Sequence, residues 1–205
     1  MSGLFITFEG PEGSGKSTQS AALYNYLRKK RLAVVRIREP GGTAIAEEIR
    51  RILLTPGNKG MGALTETLLY MAARRELVRS IIKPALRKDK IVICDRFLDS
   101  TRAYQGYGLG VDLRFIEYVG GFATETIVPD LTILLDLATT TGLKRAGAVK
   151  DRIERRSLAY HQRVRKGYLK LAKRFAQRIK IIKVDKDRSK TQNKIRKLVD
   201  KFLER

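Results

Sequence analysis

The run Gly10-Pro11-Glu12-Gly13-Ser14-Gly15-Lys16-Ser17 constrains this chain more than any other feature. It fits G-x-x-x-x-G-K-[ST] at every fixed position. Its flanks are the required ones, with the apolar strand pattern LFITF ahead and the helical pattern STQSAALYNYLRKK behind. Glycines let backbone N–H groups converge on phosphate, and the helix N-terminus adds its dipole. Lys16 is expected to reach the β- and γ-phosphates, and the Ser17 hydroxyl to ligate Mg²⁺. Gly10, Glu12, Gly13, Ser14, Gly15 and Thr18 complete the expected nucleotide-binding loop. The motif names a nucleoside-triphosphate binder and leaves the second substrate open.

Such a loop belongs in a parallel α/β sheet, and the rest of the pattern supplies one. Five β-rich runs, Leu4–Phe8, Ala33–Ile37, Ile91–Cys94, Leu131–Leu135 and Ile179–Val184, alternate with helical patterns. The first four are almost continuously apolar, as expected of strands covered on both faces. The fifth carries Lys180 and Lys183 in alternation, which suits an edge. Leu64, Leu68, Met71, Val78, Ile82 and Leu86 repeat at helical spacing, as do Val164, Tyr168, Leu171 and Phe175, then Ile195, Leu198, Phe202 and Leu203. Strand–helix alternation implies a doubly wound sheet with helices on both faces. Pro56–Gly60 is the clearest loop, and Ala146–Glu154, short of apolar residues, reads as a mobile excursion rather than a domain. No repeat or low-complexity linker interrupts the chain, so residues 1–205 are expected to form one domain.

Composition excludes several classes. No apolar run approaches the ~20 residues that span a bilayer. The N-terminus MSGLFITFEG has no basic region ahead of an apolar one, so a cytoplasmic protein without a membrane partner is expected. One cysteine, Cys94, cannot form an internal disulfide, and one histidine, His161, cannot build a zinc site alone. Cys94 reads as a buried strand residue and His161 as packing or surface. The net charge is +22, and 23 of the 43 basic residues lie in 144–205 against 6 of the 21 acidic ones. Such an excess concentrates phosphate-bearing partners without choosing among them. No base-reading motif accompanies it, so no specific nucleic acid is expected.

A second carboxylate joins the phosphate loop. Ile91-Val92-Ile93-Cys94-Asp95 is an apolar strand ending in an acid, where open α/β sheets place ligands. Asp95 is the candidate for the Mg²⁺ shell, directly or through water.

Three further motifs follow the loop in order: Arg38-Glu39-Pro40-Gly41-Gly42-Thr43, Asp95-Arg96-Phe97, and Ser100-Thr101-Arg102-Ala103-Tyr104-Gln105-Gly106. With them the chain resembles the thymidylate kinase family over essentially its whole length. The resemblance implies a P-loop nucleoside-monophosphate kinase fold, a homodimer, and transfer of the γ-phosphoryl group of ATP to dTMP with Mg²⁺, in dTTP biosynthesis. It further implies that Lys16, Asp95 and Arg96 serve catalysis, with Arg96 on the acceptor phosphate and Arg50 as the second phosphate arginine. Tyr70 is implied to stack on thymine, and Arg74, one turn on along the same helix face, to bond its O4. Ser100 and Gln105 match positions near the base edge, Tyr104 lies against the sugar C2′, and Glu12 near the 3′-hydroxyl. Glu39 matches the acid beside the metal and phosphates.

The phosphate loop contains no arginine. The segment Arg145–Glu154 resembles the family's lid, placed at about 144–155, with Arg152 the expected catalytic finger, Lys150 a helper, and Arg145 toward the adenine. A phosphate monoester has a second pKa near ~6, so the acceptor is already nucleophilic at neutral pH and no general base is required. Two other readings remain open: a kinase for another deoxynucleoside monophosphate, and a nucleic-acid-dependent P-loop ATPase.

Overall fold

The computed structural model describes residues 3–145 and 151–204. Five strands, β1 (Leu4–Glu9), β2 (Val34–Arg38), β3 (Ile91–Asp95), β4 (Leu131–Asp136) and β5 (Ile179–Lys183), form one sheet in the order β2-β3-β1-β4-β5. Every pair is parallel. β5 is an edge, as the lysine alternation predicts. β2 is the other edge, and Arg36 and Arg38 on it are exposed. The first four strands run one residue past their apolar patterns and end on Glu9, Arg38, Asp95 and Asp136. Those polar ends sit where the sheet meets the cleft, which is why hydropathy alone stops short of them.

Helices cover both faces. Against one face lie α1 (Lys16–Lys29) and α9 (Arg188–Leu203), whose Leu23, Leu27, Ile195 and Val199 pack on Ile6, Phe8, Ile93 and Ile133. Against the other lie α3 (Ala63–Leu77), which continues through a π-helical turn into α4 (Lys83–Arg87), and α6 (Leu113–Thr124). Met71, Leu77, Ile82 and Ile116 from these helices meet Phe5, Val92 and Cys94. The period of two along β1 thus sends Ile6 and Phe8 one way and Phe5 the other. Each such apolar side chain contributes about 1.5–3 kcal/mol when fully buried. Cys94 is buried as expected.

The expectation of an amphipathic α3 needs one correction. Leu64 and Leu68 stay 52% and 44% exposed, on the side away from the sheet, so only part of that apolar repeat is core.

α2 (Ala44–Leu54) packs beside α3, and α5 (Leu98–Thr101) runs on into a π-helical segment, Arg102–Gly108. That segment packs on α8 (Leu158–Arg174), where Tyr104, Tyr160, Val164 and Tyr168 make a third apolar cluster. Ile153 joins it, only 4% exposed, so the C-terminal part of the expected excursion is packed down rather than loose. The expected excursion's residues 146–150 lie outside the described residues.

α7 (Thr139–Arg145) bears directly on the phosphate loop. A Cβ at Gly142 would stand 2.2 Å from the Glu12 carbonyl oxygen, and one at Gly13 2.1 Å from the Gly142 carbonyl oxygen. Two backbones touch where no side chain fits. Gly142→Ala should therefore force helix and loop apart and cost about 1–3 kcal/mol, typical of overpacking. Urea denaturation of the two proteins measures this, and equal midpoints would show that α7 does not press on the loop.

Candidate active site

The strand ends and the loops beyond them enclose one cleft of about 640 Å³. β1 delivers the phosphate loop, whose Gly10, Gly13 and Gly15 all take positive φ, at 142°, 66° and 88°. Side chains at such angles are strained, so glycine is what lets the loop follow this path. α1 begins immediately afterward at Lys16. Its Nζ donates to the Pro11 carbonyl oxygen at 2.9 Å, folded back over the loop. Burial and the nearby Arg96 push the Lys16 amine down to about 8, against the opposing pull of Glu12 and Asp95.

Ser17 Oγ donates to Asp95 Oδ2 at 2.5 Å, joining α1 to the end of β3. Next to Asp95, Glu39 ends the β2 side: its backbone N–H donates to the Asp95 carbonyl oxygen. Glu39 Oε2 receives the Arg74 guanidinium, with Nε at 2.8 Å and Nη2 at 2.7 Å. Its other oxygen, Oε1, is buried without a partner, although Glu39 lines the cleft. Burial raises the Glu39 pKa in spite of Arg74. Ser17, Asp95 and Glu39 present hard oxygen donors of the kind Mg²⁺ prefers. Among the described residues no three His, Cys, Asp or Glu side chains gather as a metal-binding group. A cation here would need phosphate oxygens and water as further ligands, which is how Mg²⁺ binds with nucleotides.

Arg96 links the two halves of the cleft. Nη2 donates to Glu12 Oε1 at 2.9 Å and Nη1 to the Gly10 carbonyl oxygen at 3.2 Å. The Tyr104 hydroxyl donates to the same Glu12 oxygen at 2.7 Å, and the Arg96 guanidinium lies 4.9 Å from the Tyr104 ring centre. Burial works against the Glu12 charge, but Arg96, Lys16 and Tyr104 outweigh it and hold that carboxyl at about 2. Arg50 donates to the Pro40 carbonyl oxygen at 2.9 Å, and half-buried Tyr70 faces the same space from α3. Arg74, 1% exposed, also donates to Thr101 Oγ1.

The expected site residues therefore converge. Glu12, Gly13, Ser14, Gly15, Lys16, Ser17, Thr18, Glu39, Arg50, Tyr70, Arg74, Asp95, Arg96, Ser100, Tyr104, Gln105 and Arg145 all line the cleft. Gly10 is buried beneath the loop. Ser100 differs in detail from the expectation of a base-edge group, because its hydroxyl donates inward to Glu9. The Gln105 amide donates to Glu66.

Arg152, the expected finger, is elsewhere. It is 5% exposed and does not line the cleft. Nε donates to the Leu53 carbonyl oxygen at 2.7 Å, and Nη2 pairs with the fully buried Glu66 carboxylate at 2.6 Å. Glu66 also receives Arg156 and Gln105. The buried Glu66 carboxylate and the Leu53 carbonyl oxygen hold Arg152 away from the cleft. Lys150 lies outside the described residues. Among the described residues of 144–155, Arg145 is the cation that lines the cleft.

Sequence reasoning missed Glu9, Glu66 and Tyr168, and also Val184–Lys186 and Arg188, which close the far end of the cleft. An acid ending the apolar run LFITFE was a usable signal for Glu9. The loop after β5 had a signal too, since open α/β sheets gather their ligands beyond the carboxyl ends of the strands. Glu66 sits in an ordinary helical pattern and gave none. His161 is buried, its Nε2 unpartnered, and burial lowers its pKa, in keeping with a packing role.

The comparisons with known proteins agree with this geometry. The family profile described as thymidylate kinase matches residues 8–195. A thymidylate kinase of Symbiobacterium thermophilum is 48% identical over 203 residues, covering 98% of this chain and 95% of its own length. One from Bacillus cereus is 44% identical, covering 99% and 100%. The crystal structure of thymidylate kinase from Ehrlichia chaffeensis superposes with a TM-score of 0.80 at 36% identity, over 98% of this chain and 99% of that one.

The placement of Arg152 changes what its removal should do. Arg152→Met should destabilise the fold, near the low end of the about 3–5 kcal/mol seen when buried pairs are broken, since Glu66 keeps Arg156. Thermal unfolding and steady-state kinetics together check this. A selective fall in kcat with unchanged stability would restore Arg152 as a finger.

Proposed function

The chain belongs to the thymidylate kinase family, and from that premise we propose how its cleft moves the γ-phosphoryl group of ATP to dTMP, giving dTDP and ADP. The observation that carries the assignment of roles is Arg96, which touches the phosphate loop at Gly10 and reaches Glu12 and Tyr104 in the acceptor half. ATP phosphates lie in the loop against Lys16, with the adenine toward Arg145, Asp185 and Arg188. dTMP lies across Arg50, Tyr70, Arg74 and Tyr104.

The acceptor phosphate, with a second pKa near ~6, needs no base. The protein's work is to hold two anions in line and offset their repulsion. Lys16, held near 8 by burial and Arg96, is drawn fully into its charged form by an incoming triphosphate. Arg96 and Arg50 offset the acceptor's charge. Arg74, already neutralised by Glu39, is suited to the neutral carbonyl of a base rather than to phosphate. Ser17, Asp95 and the unpartnered oxygen of Glu39 would hold Mg²⁺. That ion would supply positive charge against the charge that develops during transfer. Residues about 144–155 serve as the lid, and Arg145 is its described cation in the cleft.

Substrates that are free nucleotides suit a cytoplasmic enzyme, and no helix among the described residues is long and apolar enough to cross a membrane. The basic C-terminal third acts by long-range attraction of these anions, screened beyond ~10 Å at 0.1 M salt, with no nucleic acid in the reaction.

A panel of monophosphates with ATP and Mg²⁺ tests the reading. dTMP should lead, and dUMP should follow by about 10–200-fold, the worth of one methyl in an apolar pocket. dCMP should trail both. Lys16→Ala should lower kcat by ~10²-fold or more without unfolding the protein. Equal turnover of dCMP and dTMP would remove thymine from the reading, and nucleic-acid-stimulated ATP hydrolysis without dTMP would favour the ATPase.

The dimer belongs to the same proposal. Tyr118 and Phe122 on α6 are 70% and 67% exposed, stacked edge to face at 5.2 Å. With the exposed Leu64 and Leu68 of the adjoining α3 they make an apolar patch, edged by the Arg75–Glu125 ion pair. A second copy of this chain is the partner proposed for that face. Phe122→Asp should convert dimer to monomer in light scattering. An unchanged mass would move the interface elsewhere.

A further inference from the structure

We infer that Glu9 works as a neutral carboxylic acid, and that the proton it keeps positions Arg96 for the acceptor phosphate. The functional half of this inference rests on the dTMP kinase reading above.

Glu9 is the last residue of β1 and has no exposed surface. Its Oε1 accepts the Phe97 N–H at 2.8 Å and the Ser100 N–H at 3.2 Å. Its Oε2 lies 2.6 Å from Ser100 Oγ and 2.8 Å from Tyr168 Oη. Those two hydroxyls are themselves 2.8 Å apart. The three oxygens form a closed triangle in which every side is a hydrogen-bond distance, and every side needs one hydrogen. Ser100 and Tyr168 bring one each, and an ionised carboxylate brings none. The third hydrogen is therefore on Oε2, with Oε1 as the acceptor for the two backbone N–H groups. Arg96 cannot supply it. Its Nη1, 3.2 Å from Ser100 Oγ and 3.3 Å from Tyr168 Oη, donates to these hydroxyls from outside the triangle.

The surroundings agree. Burial is the largest influence on Glu9, and the Asp99 carboxylate of α5 adds like charge. Asp99 is kept ionised by Arg178 and Arg102 despite its own burial. Opposing them are the Ser100 hydrogen bond, the charge of Arg96 and the Phe97 N–H. Lys16 of α1 is a further cation within range, while the Cys94 thiol of β3 and the Tyr168 hydroxyl of α8 have pKa values raised by burial and stay neutral. The balance pushes Glu9 up to about 7.

Holding that proton has a consequence for the reaction. While Glu9 is neutral, Glu12 is the only carboxylate among the described residues in ion-pair contact with Arg96. Ionisation of Glu9 would add a second negative charge behind Arg96 and remove the hydrogen that closes the triangle. Both changes weaken the hold on a dianionic phosphate. Glu9 touches no substrate and acts through Arg96, so it is a positioning residue.

The test compares wild type with Glu9→Gln at saturating ATP and Mg²⁺, where the phosphates keep Lys16 charged. The glutamine amide offers an N–H to the triangle and a carbonyl to the backbone donors, which copies the protonated acid and cannot ionise. For wild type, kcat/KM for dTMP should fall by up to about tenfold per unit above pH 7 while kcat changes less. For Glu9→Gln it should stay level through that range. Carboxyl-carbon NMR of substrate-free wild type provides a second readout that needs neither a folded variant nor turnover: the Glu9 signal should titrate near 7. Matching pH profiles in the two proteins, or a Glu9 midpoint at or below the ordinary 4.5, would overturn the inference. Absence of dTMP turnover in wild type would instead strike at the kinase reading, and the NMR midpoint would still decide the state of Glu9.

Discussion

The chain leaves β3 through a turn at Arg96 with φ of +73°, and the polar order of the cleft depends on that turn being held. A non-glycine residue there is strained by about 1–3 kcal/mol and persists only where its surroundings over-determine it. Here they do. The Arg96 N–H donates to the Phe8 carbonyl oxygen, and the next N–H, from Phe97, donates to Glu9. Reversing the chain at this point directs Asp95 toward Ser17 and the Arg96 guanidinium toward Glu12. One strained residue thus separates the acid that meets Ser17 from the cation that meets Glu12, although the two are neighbours in sequence.

Buried charge is organised in the same manner throughout. Glu12 is matched by Arg96, Glu39 by Arg74, Glu66 by Arg152 and Arg156, and Asp99 by Arg102 and Arg178. All but the Asp99–Arg102 contact, which lies within one turn of continuous helix, join separate segments of the fold, and each uses arginine. The planar guanidinium can serve several oxygens at once and sheds its hydration more readily than an ammonium, so it is the cation that tolerates these interiors. Lysine is used mostly outside: Lys190, Lys194, Lys197 and Lys201 all lie exposed along α9. The net charge of +22 is therefore two populations. One part of the basic complement is structural and internal, and the other is a solvated field.

This division explains what the sequence disclosed and what it withheld. The phosphate loop, the five strands and Asp95 were legible because each is fixed by local chemistry: glycine angles, alternation, and the carboxyl ends of strands. Arg50, Tyr70, Arg74, Arg96, Ser100, Tyr104 and Gln105 were legible only through the resemblance to a family. Arg152 was not. In a segment dense with lysine and arginine its burial is set by Leu53 and Glu66, about a hundred residues away, and no local period records that contact. Leu64 and Leu68 show the converse. Their spacing is that of a buried helix face, yet the sheet lies on another side of α3, and periodicity fixes only which residues share a face. Glu9 was hidden differently. As the last residue of an apolar strand it was visible, but its role comes from Ser100 and Tyr168, on two elements brought together by folding.

The cleft's ligand-facing groups are also engaged with one another. Lys16 donates to Pro11, Ser17 to Asp95, and Tyr104 and Arg96 both to Glu12. On the proposed reading, substrate binding is an exchange in which internal hydrogen bonds give way to bonds with phosphate and sugar. Exchange of neutral bonds yields little, about 0.5–1.5 kcal/mol each, whereas bonds to a charged partner are worth about 1.5–3 kcal/mol. On the proposed reading the gain accordingly falls on the contacts that meet phosphate, with Lys16 and Arg96 the cations placed to make them. Glu39 Oε1 differs from these four, since it has no internal bond to surrender. A cation arriving there replaces nothing and relieves a buried oxygen that no other side chain serves, so at this corner of the cleft binding need not first undo the protein's own structure.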